Sequence, residues 1–276
     1  MSAIEYEVTG PTARLTLNRP ERGNGITRPL LDELERLVEE ADRDPQVRVV
    51  LLSGSGSGFC GGYDLVATAE TQLPNHDPSE PWDPMVDYAM MSRNVRAFMS
   101  LHRATKPVVC KVHGFCVAGG TDLALCADLL VVAEDAKIGY PPARVWGSPT
   151  TSLWAYRLGP QRAKRLLFTG DSLSGAQAAD WGLALEAWPA AELDARVEEL
   201  VERITRLPLN QLQMMKLLCN QWFEGGGLGP SQVLGTLLDG IARHTREGYA
   251  FQELAASKGF RAAVRQRDEP FGDYGR

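Results

Sequence analysis

The stretch VHGFCVAGGTDLALCADLL, residues 112–130, places a β-branched apolar run before two glycines and a helix-like pattern after them. An apolar run that ends in glycines and leads into a helix is typical of a strand followed by a tight turn. The first N–H groups of such a helix have no intrahelical partners and lie at the positive end of its dipole. Gly119 and Gly120 therefore indicate a place that favours an anionic oxygen, either a phosphate or an oxyanion formed during a reaction.

Asp122 lies near the predicted start of this helix, close to Thr121, and its position has two interpretations. A carboxylate in the first turn is stabilised by the helix dipole by about 0.3–1 kcal/mol and needs no further reason to be there. A carboxyl group beside an anion-binding turn is also well placed to act as an acid or base. The dipole lowers the pKa of a carboxyl group and burial raises it, so the sequence leaves the protonation state of Asp122 open.

A second glycine-rich turn, GFCGGYDL at residues 58–65, follows the apolar strand pattern VRVVLLSG. Gly56, Gly58 and Gly61 have the spacing of a dinucleotide fingerprint, but the position of the required acidic residue falls in a Pro-rich segment instead of a strand end. The glycines also suit a plain turn, or a backbone N–H that approaches a ligand closely. If the two glycine turns follow neighbouring strands, their N–H groups converge on one carbonyl oxygen.

Length and composition are those of an ordinary globular protein. The chain has 276 residues, 44% hydrophobic and 23% charged, with a formal net charge of −6, which allows one large domain or two small ones. No basic run indicates nucleic-acid binding, no apolar run is long enough to span a membrane, and no secretory signal pattern is present. The five cysteines form no CxxC pair and the four histidines lack metal-ligand spacing. We therefore expect reduced thiols, a cytoplasmic protein and no metal.

Periodicity predicts an α/β fold with a helical C-terminal region. Apolar and polar residues alternate over residues 4–18, as in a β-hairpin, and Thr27 precedes an apolar helical face. Strand patterns alternate with helix patterns through the first two-thirds of the chain, and helix patterns dominate thereafter. The C-terminal part is expected to hold helices at 191–207, 210–222, 232–245 and 248–266, with a glycine loop at 225–229; a further excursion or mobile loop is expected at 72–84.

Several motifs, in order along the chain, resemble the crotonase superfamily of enoyl-CoA hydratase/isomerase proteins. GFCGGYDL and HGFCVAGGTDLALCADLLVVAEDAKIGYPP (113–142) are similar to its two signature regions. LTLNRPERGNGIT (15–27) is similar to its CoA-proximal loop, and residues 157–188 resemble its later helical region. The resemblance implies a crotonase-like spiral of ββα units over residues 1–205 and a helical oligomerisation region over residues 206–276. It also implies a homotrimer or homohexamer. The charge and hydropathy patterns lead us to expect no nucleic-acid or membrane partner.

The resemblance further implies a ligand and a site. The ligands of such proteins are acyl-CoA thioesters, so coenzyme A enters as part of the substrate and no separate cofactor is expected. The N–H groups of Tyr63 and Gly119 match the oxyanion-hole positions, and Asp122 matches one of the two catalytic glutamates of the hydratases. The implied substrate-binding residues are Arg22, Gly25, Gly61, Tyr140 and Trp146.

The sequence departs from the hydratase pattern at Pro142, where the second catalytic glutamate would fall. Proline cannot act as an acid or base, and Thr150 stands where some relatives carry an aspartate. A single carboxylate beside an oxyanion hole can still move a proton next to a thioester, which gives isomerisation or racemisation. It can also activate water for attack on a carbonyl.

The leading hypothesis is an enoyl-CoA hydratase/isomerase-type enzyme, a lyase or isomerase of fatty acid metabolism, that stabilises a thioester enolate with Asp122 as acid/base. One alternative on the same fold is hydrolysis of a C–C bond in a cyclic β-diketone, without coenzyme A. A second is an acyl-CoA-binding protein with no chemistry, motivated by Pro142. A nicotinamide-dependent dehydrogenase is the least favoured interpretation. The acyl group is left open by the sequence.

Overall fold

The structure, a computed structural model, describes residues 2–65 and 80–272. Most of the predicted 72–84 loop, residues 72–79, lies outside the described residues. The part that follows, residues 80–83, contains no helix or strand, and the next helix begins at Pro84. The described chain is mixed α/β with a helical C-terminal third, as the periodicity predicts.

Two antiparallel strands open the chain and confirm the predicted hairpin. They are β1 (Ile4–Thr9) and β2 (Thr12–Leu17), with Ile4 opposite Leu17. The second strand also pairs with the next strand of the sheet, so it is an inner strand, and its alternate apolar residues are fully buried. Thr27 then caps the first helix by accepting a hydrogen bond from the Leu30 N–H, as predicted.

A six-stranded sheet forms the centre of the fold, in the order β1-β2-β3-β4-β6-β9. Every pair after the hairpin is parallel. Parallel strands are covered on both faces, which is why they appear in the sequence as continuous apolar runs. The further strands of this sheet are β3 (Val49–Gly54), β4 (Val108–Val112), β6 (Leu129–Ala133) and β9 (Glu186–Trp188).

A smaller sheet carries the segments that lead into the site. It consists of β5 (Phe115–Val117), β7 (Lys137–Gly139) and β8 (Ser172–Ser174), in the order β5-β7-β8. Strands β5 and β7 are parallel, with Val117 opposite Gly139. Because parallel strands end at the same edge, the residues that follow them, Ala118 and Tyr140, leave the sheet side by side.

Helices cover the sheets and form the C-terminal region. The helices of the described residues are α1 (Arg28–Arg43), α2 (Pro84–Arg103), α3 (Gly119–Ala124), α4 (Leu153–Thr169), α5 (Gly175–Asp180), α6 (Ala190–Thr205), α7 (Leu209–Gly225), α8 (Leu228–Arg243), α9 (Arg246–Lys258) and α10 (Phe260–Asp268). Helix α6 ends at the predicted boundary near residue 205, and the division into two domains there stays a prediction. None of the helices in the described ranges is long and apolar enough to cross a membrane.

Two details of the C-terminal region differ from the prediction. The glycine loop expected at 225–229 is reduced to Gly226 and Gly227, because α7 continues to Gly225 and α8 begins at Leu228. The helix expected at 248–266 is broken at Gly259, which separates α9 from α10. Gly259 has φ +85° and ψ 152°, a conformation outside the helix that glycine adopts far more readily than residues with a Cβ.

Candidate active site

The two glycine turns that the sequence singles out lie side by side. A parallel bridge joins Cys60, in the first turn, to Cys116 in β5. The Cys60 N–H donates to the Phe115 carbonyl over 3.1 Å, and the Val117 N–H donates to the Cys60 carbonyl over 3.0 Å. These hydrogen bonds fix the first turn against the strand that leads directly into the second.

The N–H of Tyr63 points away from the segment with which Tyr63 pairs. In the parallel bridge between Ile26 and Tyr63, Ile26 makes both hydrogen bonds. Its N–H donates to the Gly62 carbonyl over 2.8 Å, and its carbonyl accepts from the Asp64 N–H over 2.9 Å. Donor directions alternate along an extended chain, so the Tyr63 N–H is on the opposite side. Within residues 2–65 and 80–272 it donates to no protein acceptor.

The second N–H belongs to Gly119, which begins α3 two residues before the predicted start. The preceding residue, Ala118, has φ +54° and ψ −129°, a strained backbone conformation for a residue with a Cβ. The turn at Ala118 leaves the Gly119 N–H without an acceptor in the described part of the protein. A Cβ built on Gly62 would lie 3.3 Å from the Gly119 nitrogen. The Gly119 N–H therefore adjoins the turn that carries Tyr63.

Asp122, one turn further along α3, is almost completely buried, with 1% of its surface exposed. Its Oδ1 accepts hydrogen bonds from the Thr151 hydroxyl, at 2.6 Å, and from the Thr151 N–H, at 3.1 Å. Burial raises the pKa of Asp122 to about 7, against the lowering effect of these hydrogen bonds, and the charge of Asp239 raises the pKa further. A carboxyl group with this pKa can both accept and release a proton near neutral pH.

The side chain of Tyr63 lies between Gly119 and helix α2. A Cβ on Gly119 would be 3.0 Å from the Tyr63 ring, and the ring packs at a tilt of 58° against Phe98. The hydroxyl group accepts a hydrogen bond from Asn94 Nδ2 at 3.4 Å. Burial, and next the charge of Asp122, hold the pKa of Tyr63 well above its ordinary value, so the phenol is neutral.

Tyr140 and Asp239 interact electrostatically with Asp122 and lie close to Pro142. The phenol of Tyr140 is buried, and burial followed by the charges of Asp122 and Asp239 raises its pKa well above the ordinary value. Asp239, on α8, accepts a hydrogen bond from the Ser148 N–H at 3.2 Å and pairs with Arg243. Burial raises the pKa of Asp239 and Arg243 opposes that rise.

Of the predicted substrate-binding residues, Gly61 belongs to the first turn, and Arg22 and Gly25 belong to a loop that packs against it. Asp64, whose side chain is 4% exposed, pairs with Arg22 at 2.7 Å and with Arg19 at 2.8 Å. A Cβ on Gly25 would lie 3.0 Å from Asp64 Cβ, and the Gly61 N–H donates to a carbonyl of the Arg22 loop. Asp64 thus holds the loop in place, and the Arg22 side chain remains 37% exposed.

Trp146, unlike the other predicted site residues, packs against the C-terminal helices. Its ring packs against Phe251 of α9 and Phe260 of α10, with centroids 5.3 and 5.9 Å away. The backbone at Trp146 has φ +78°. The ring therefore anchors the segment after Pro142 to the C-terminal helices, whereas Tyr63, Gly119, Asp122 and Tyr140 lie together.

Sequence reasoning missed three polar residues of the site: Thr151, Asn94 and Asp239. Thr151 is 29 positions from the carboxylate that it binds, and Asn94 is 31 positions from Tyr63. No local spacing signals such contacts. Asp239 offers a weak signal, since it is an acidic residue within the apolar run VLGTLLDGIA of α8. Among the described residues, no group of three or more His, Cys, Asp or Glu side chains is arranged to hold a metal.

Comparisons with known proteins identify the family of this chain. The family model described as Enoyl-CoA hydratase/isomerase matches residues 8–226. A crystal structure of an enoyl-CoA hydratase from Mycobacterium smegmatis is 60% identical, with a TM-score of 0.96 over 99% of this chain and 95% of that chain. The enoyl-CoA hydratase EchA19 of Mycobacterium tuberculosis is 31% identical over 203 residues, 72% of this chain and 73% of its own length.

A further relative is 1,2-epoxyphenylacetyl-CoA isomerase from Escherichia coli, 30% identical over 228 residues, which are 80% of this chain and 82% of the relative. The matches thus include proteins named for hydration and for isomerisation. The predicted crotonase fold is confirmed by these neighbours. The chain belongs to the enoyl-CoA hydratase/isomerase family of enzymes, within the crotonase superfamily.

Proposed function

We propose that the protein processes an acyl-CoA thioester by holding the thioester oxygen on the N–H groups of Tyr63 and Gly119 while Asp122 moves a proton at the adjacent carbon. One observation carries the proposal. Two backbone N–H groups that have no acceptor in the described part of the chain adjoin a buried carboxyl group whose pKa is about 7. No cofactor is needed, because coenzyme A is part of the substrate.

The chemistry follows from the charge that develops during the reaction. When the Asp122 carboxylate removes a proton from the carbon next to the thioester, negative charge moves onto the thioester oxygen. Two fixed N–H donors, already oriented before the reaction, stabilise that charge. Because the pKa of Asp122 is close to neutral, its carboxylate is both available as a base and able to return the proton.

The reaction class is an enoyl-CoA hydratase or isomerase reaction. The names of the relatives support both, since they include hydratases and an epoxyphenylacetyl-CoA isomerase. Pro142 supplies no carboxyl group, so Asp122 is the base and any second proton-handling group comes from elsewhere in the site.

Exchange of the α-proton tests the role of Asp122 without depending on the full reaction. Wild-type protein is incubated with a saturated thioester, butanoyl-CoA, in D2O, and deuterium uptake is followed by mass spectrometry. We expect exchange in the wild type and a loss of about 10²–10⁴-fold in Asp122→Asn, the usual contribution of a general base. Asp180→Asn, an exposed carboxyl group at the end of α5, is the matched control.

Two results would favour the alternatives. Thioester binding by calorimetry with neither exchange nor turnover on a broad thioester panel would indicate a binding protein without chemistry. Cleavage of a cyclic β-diketone that free CoA thioesters do not inhibit would indicate a C–C bond hydrolase. Unchanged exchange in Asp122→Asn would remove Asp122 from the mechanism.

The C-terminal helices support self-association, as a homotrimer or a homohexamer. Helix α7 exposes Leu217, Leu218 and Trp222, with 61%, 66% and 73% of their surfaces accessible, and α8 exposes Leu234 at 57%. Large apolar side chains gathered on exposed helices mark interaction surfaces. We place the enzyme in the cytoplasm, since all five cysteines are free thiols and four of them are buried.

A further inference from the structure

The space beside Pro142 is lined by two polar groups in place of the missing carboxyl group. A Cβ built on Gly147 would lie 2.9 Å from Pro142 Cβ, 3.4 Å from the Tyr140 hydroxyl and 3.7 Å from Asp239 Oδ1. These three atoms therefore surround one point. Both Tyr140 and Asp239 interact electrostatically with Asp122.

Backbone pairing fixes Tyr140 next to the Gly119 turn. The Ala118 N–H donates to the Gly139 carbonyl over 3.0 Å, continuing the register of β5 and β7. Tyr140 is therefore opposite Ala118, the residue that orients the Gly119 N–H. A side chain in this place can reach the acyl group of a thioester whose oxygen lies in the oxyanion hole.

The Tyr140 hydroxyl has no hydrogen-bond partner among the described residues, although the residue is only 6% exposed. Buried hydroxyl groups normally have partners. In contrast, Asp239 accepts from the Ser148 N–H and from Arg243, which also binds Asp87 at 2.9 Å. The Tyr140 hydroxyl is therefore available to interact with a ligand.

We propose that Tyr140 is the second catalytic residue of the site, a general acid that acts at the carbon beyond the one Asp122 deprotonates. This inference rests on the proposed function. In dehydration of a 3-hydroxyacyl thioester, the C2–H bond breaks and its proton goes to the Asp122 carboxylate. The C3–O bond breaks with its electron pair on oxygen, which takes the Tyr140 proton and leaves as water. Solvent carries the Asp122 proton back to the phenolate, and hydration is the reverse sequence.

The charges around Tyr140 favour a phenol that keeps its proton and can donate it. Burial and the carboxylates of Asp122 and Asp239 hold the pKa of Tyr140 well above the ordinary value, so the phenol carries its proton throughout the working pH range. A leaving hydroxide is a stronger base than a phenolate in water, which favours transfer of the Tyr140 proton to it, whereas the raised pKa of Tyr140 opposes the transfer. Arg243 opposes the effect of the carboxylates and stabilises transient negative charge on the phenol.

The test compares two reactions in two variants. Tyr140→Phe removes only the hydroxyl. Tyr156→Phe is the matched control, because the Tyr156 hydroxyl binds the Gly226 carbonyl and Ser231 away from the site. The reactions are α-proton exchange on butanoyl-CoA, which needs the oxyanion hole and Asp122, and hydration of a short 2-enoyl-CoA, which also needs the acid. We expect the ratio of hydration to exchange to fall about 10²–10⁴-fold in Tyr140→Phe and to stay within about twofold in Tyr156→Phe.

The stability of Tyr140→Phe and the activities of the wild type provide further tests of the inference. Tyr140→Phe should not unfold at a lower temperature than the wild type, since it removes a hydroxyl without a protein partner. An unchanged ratio in Tyr140→Phe, or an equal fall in Tyr156→Phe, would overturn the inference. So would a wild type that exchanges the α-proton but hydrates no enoyl thioester. A wild type without α-proton exchange would instead refute the proposed function, and the acid role of Tyr140 with it.

Discussion

Thr151 donates two hydrogen bonds to the same oxygen of Asp122, one from its hydroxyl at 2.6 Å and one from its N–H at 3.1 Å. Both favour the charged carboxylate, whereas burial favours the neutral acid. The pKa of about 7 is the balance of these opposing effects. A residue that precedes α4 thus controls the protonation of a side chain on α3.

Removal of the Thr151 hydroxyl should move the pH dependence of catalysis. In Thr151→Val the N–H donor remains, but the hydroxyl that stabilises the carboxylate is lost, so the pKa of Asp122 rises. Hydrogen bonds to charged groups contribute about 1.5–3 kcal/mol, which corresponds to about one to two pH units. The rising limb of kcat/KM against pH should therefore shift upward by that amount.

Thr151→Ser is the matched control, because it retains a hydroxyl donor at the same position. Its pH profile should follow that of the wild type. A profile of Thr151→Val that coincides with the wild type would show that the hydroxyl does not set the protonation of Asp122, or that another group limits the rate.

The protonation of Asp122 should also affect stability. Its pKa rises from the ordinary 3.8 to about 7 on folding, so its contribution is fully present below about pH 4 and is lost as pH rises through 7. The loss is on the order of 4 kcal/mol at about 1.4 kcal/mol per pH unit. Asp122→Asn avoids this ionisation, and its oxygen still accepts from Thr151.

Urea unfolding at pH 4.5, near the lower end of that window, and at pH 8.5, above it, measures the effect. We expect the free energy of unfolding of Asp122→Asn to exceed that of the wild type at the higher pH and the difference to shrink at the lower. A difference that is the same at both values would indicate that Asp122 is not buried as an ionisable group.

Gly62 tests the geometry of the oxyanion hole. It has φ +97°, and a Cβ there would lie 2.8 Å from Ala118 Cβ. Gly62→Ala should therefore displace the Gly119 N–H, and kcat should fall by about 10²–10³-fold, the loss seen when one oxyanion donor is removed. Gly229→Ala, on α8 with open space around the new Cβ, is the control. Full activity of a folded Gly62→Ala would show that the two turns do not act together.

The sequence predicts well the features that depend on neighbouring residues. Alternation over residues 4–18 gives the hairpin, and the Thr27 cap with its apolar face gives α1, because both signals are local. The break at Gly259 was not predicted, since the helical pattern continues across it and one glycine inside a helix is tolerated.

The residues of the candidate site also divide into those with a local sequence signal and those without one. The glycine turns and Asp122 are visible as motifs, whereas the Thr151 and Asp239 contacts join segments far apart in the chain. The protonation of Asp122 depends on how burial and hydrogen bonding balance in three dimensions. Only the packed structure fixes that balance.

The exposed apolar side chains of α7 are expected to mediate self-association. If they form an interface between copies of this 30.2 kDa chain, the wild type should have a mass three or six times that value in light scattering. Trp222→Glu should lower the mass, because a carboxylate buried in an apolar interface lacks a partner. Val8→Glu, on the hairpin and 37% exposed, is the control and should keep the wild-type mass.

The measured mass shows whether the apolar surface of α7 is an interface between copies of the chain or is exposed to solvent. A monomeric wild type, or a Trp222→Glu variant with unchanged mass and unchanged stability, would contradict an interface on α7. If the variant dissociates and also loses activity, the cause lies in α8, which follows α7 and carries Asp239 to the site. Comparing α-proton exchange in the dissociated variant with that of the wild type then measures how far the Asp122 site depends on assembly.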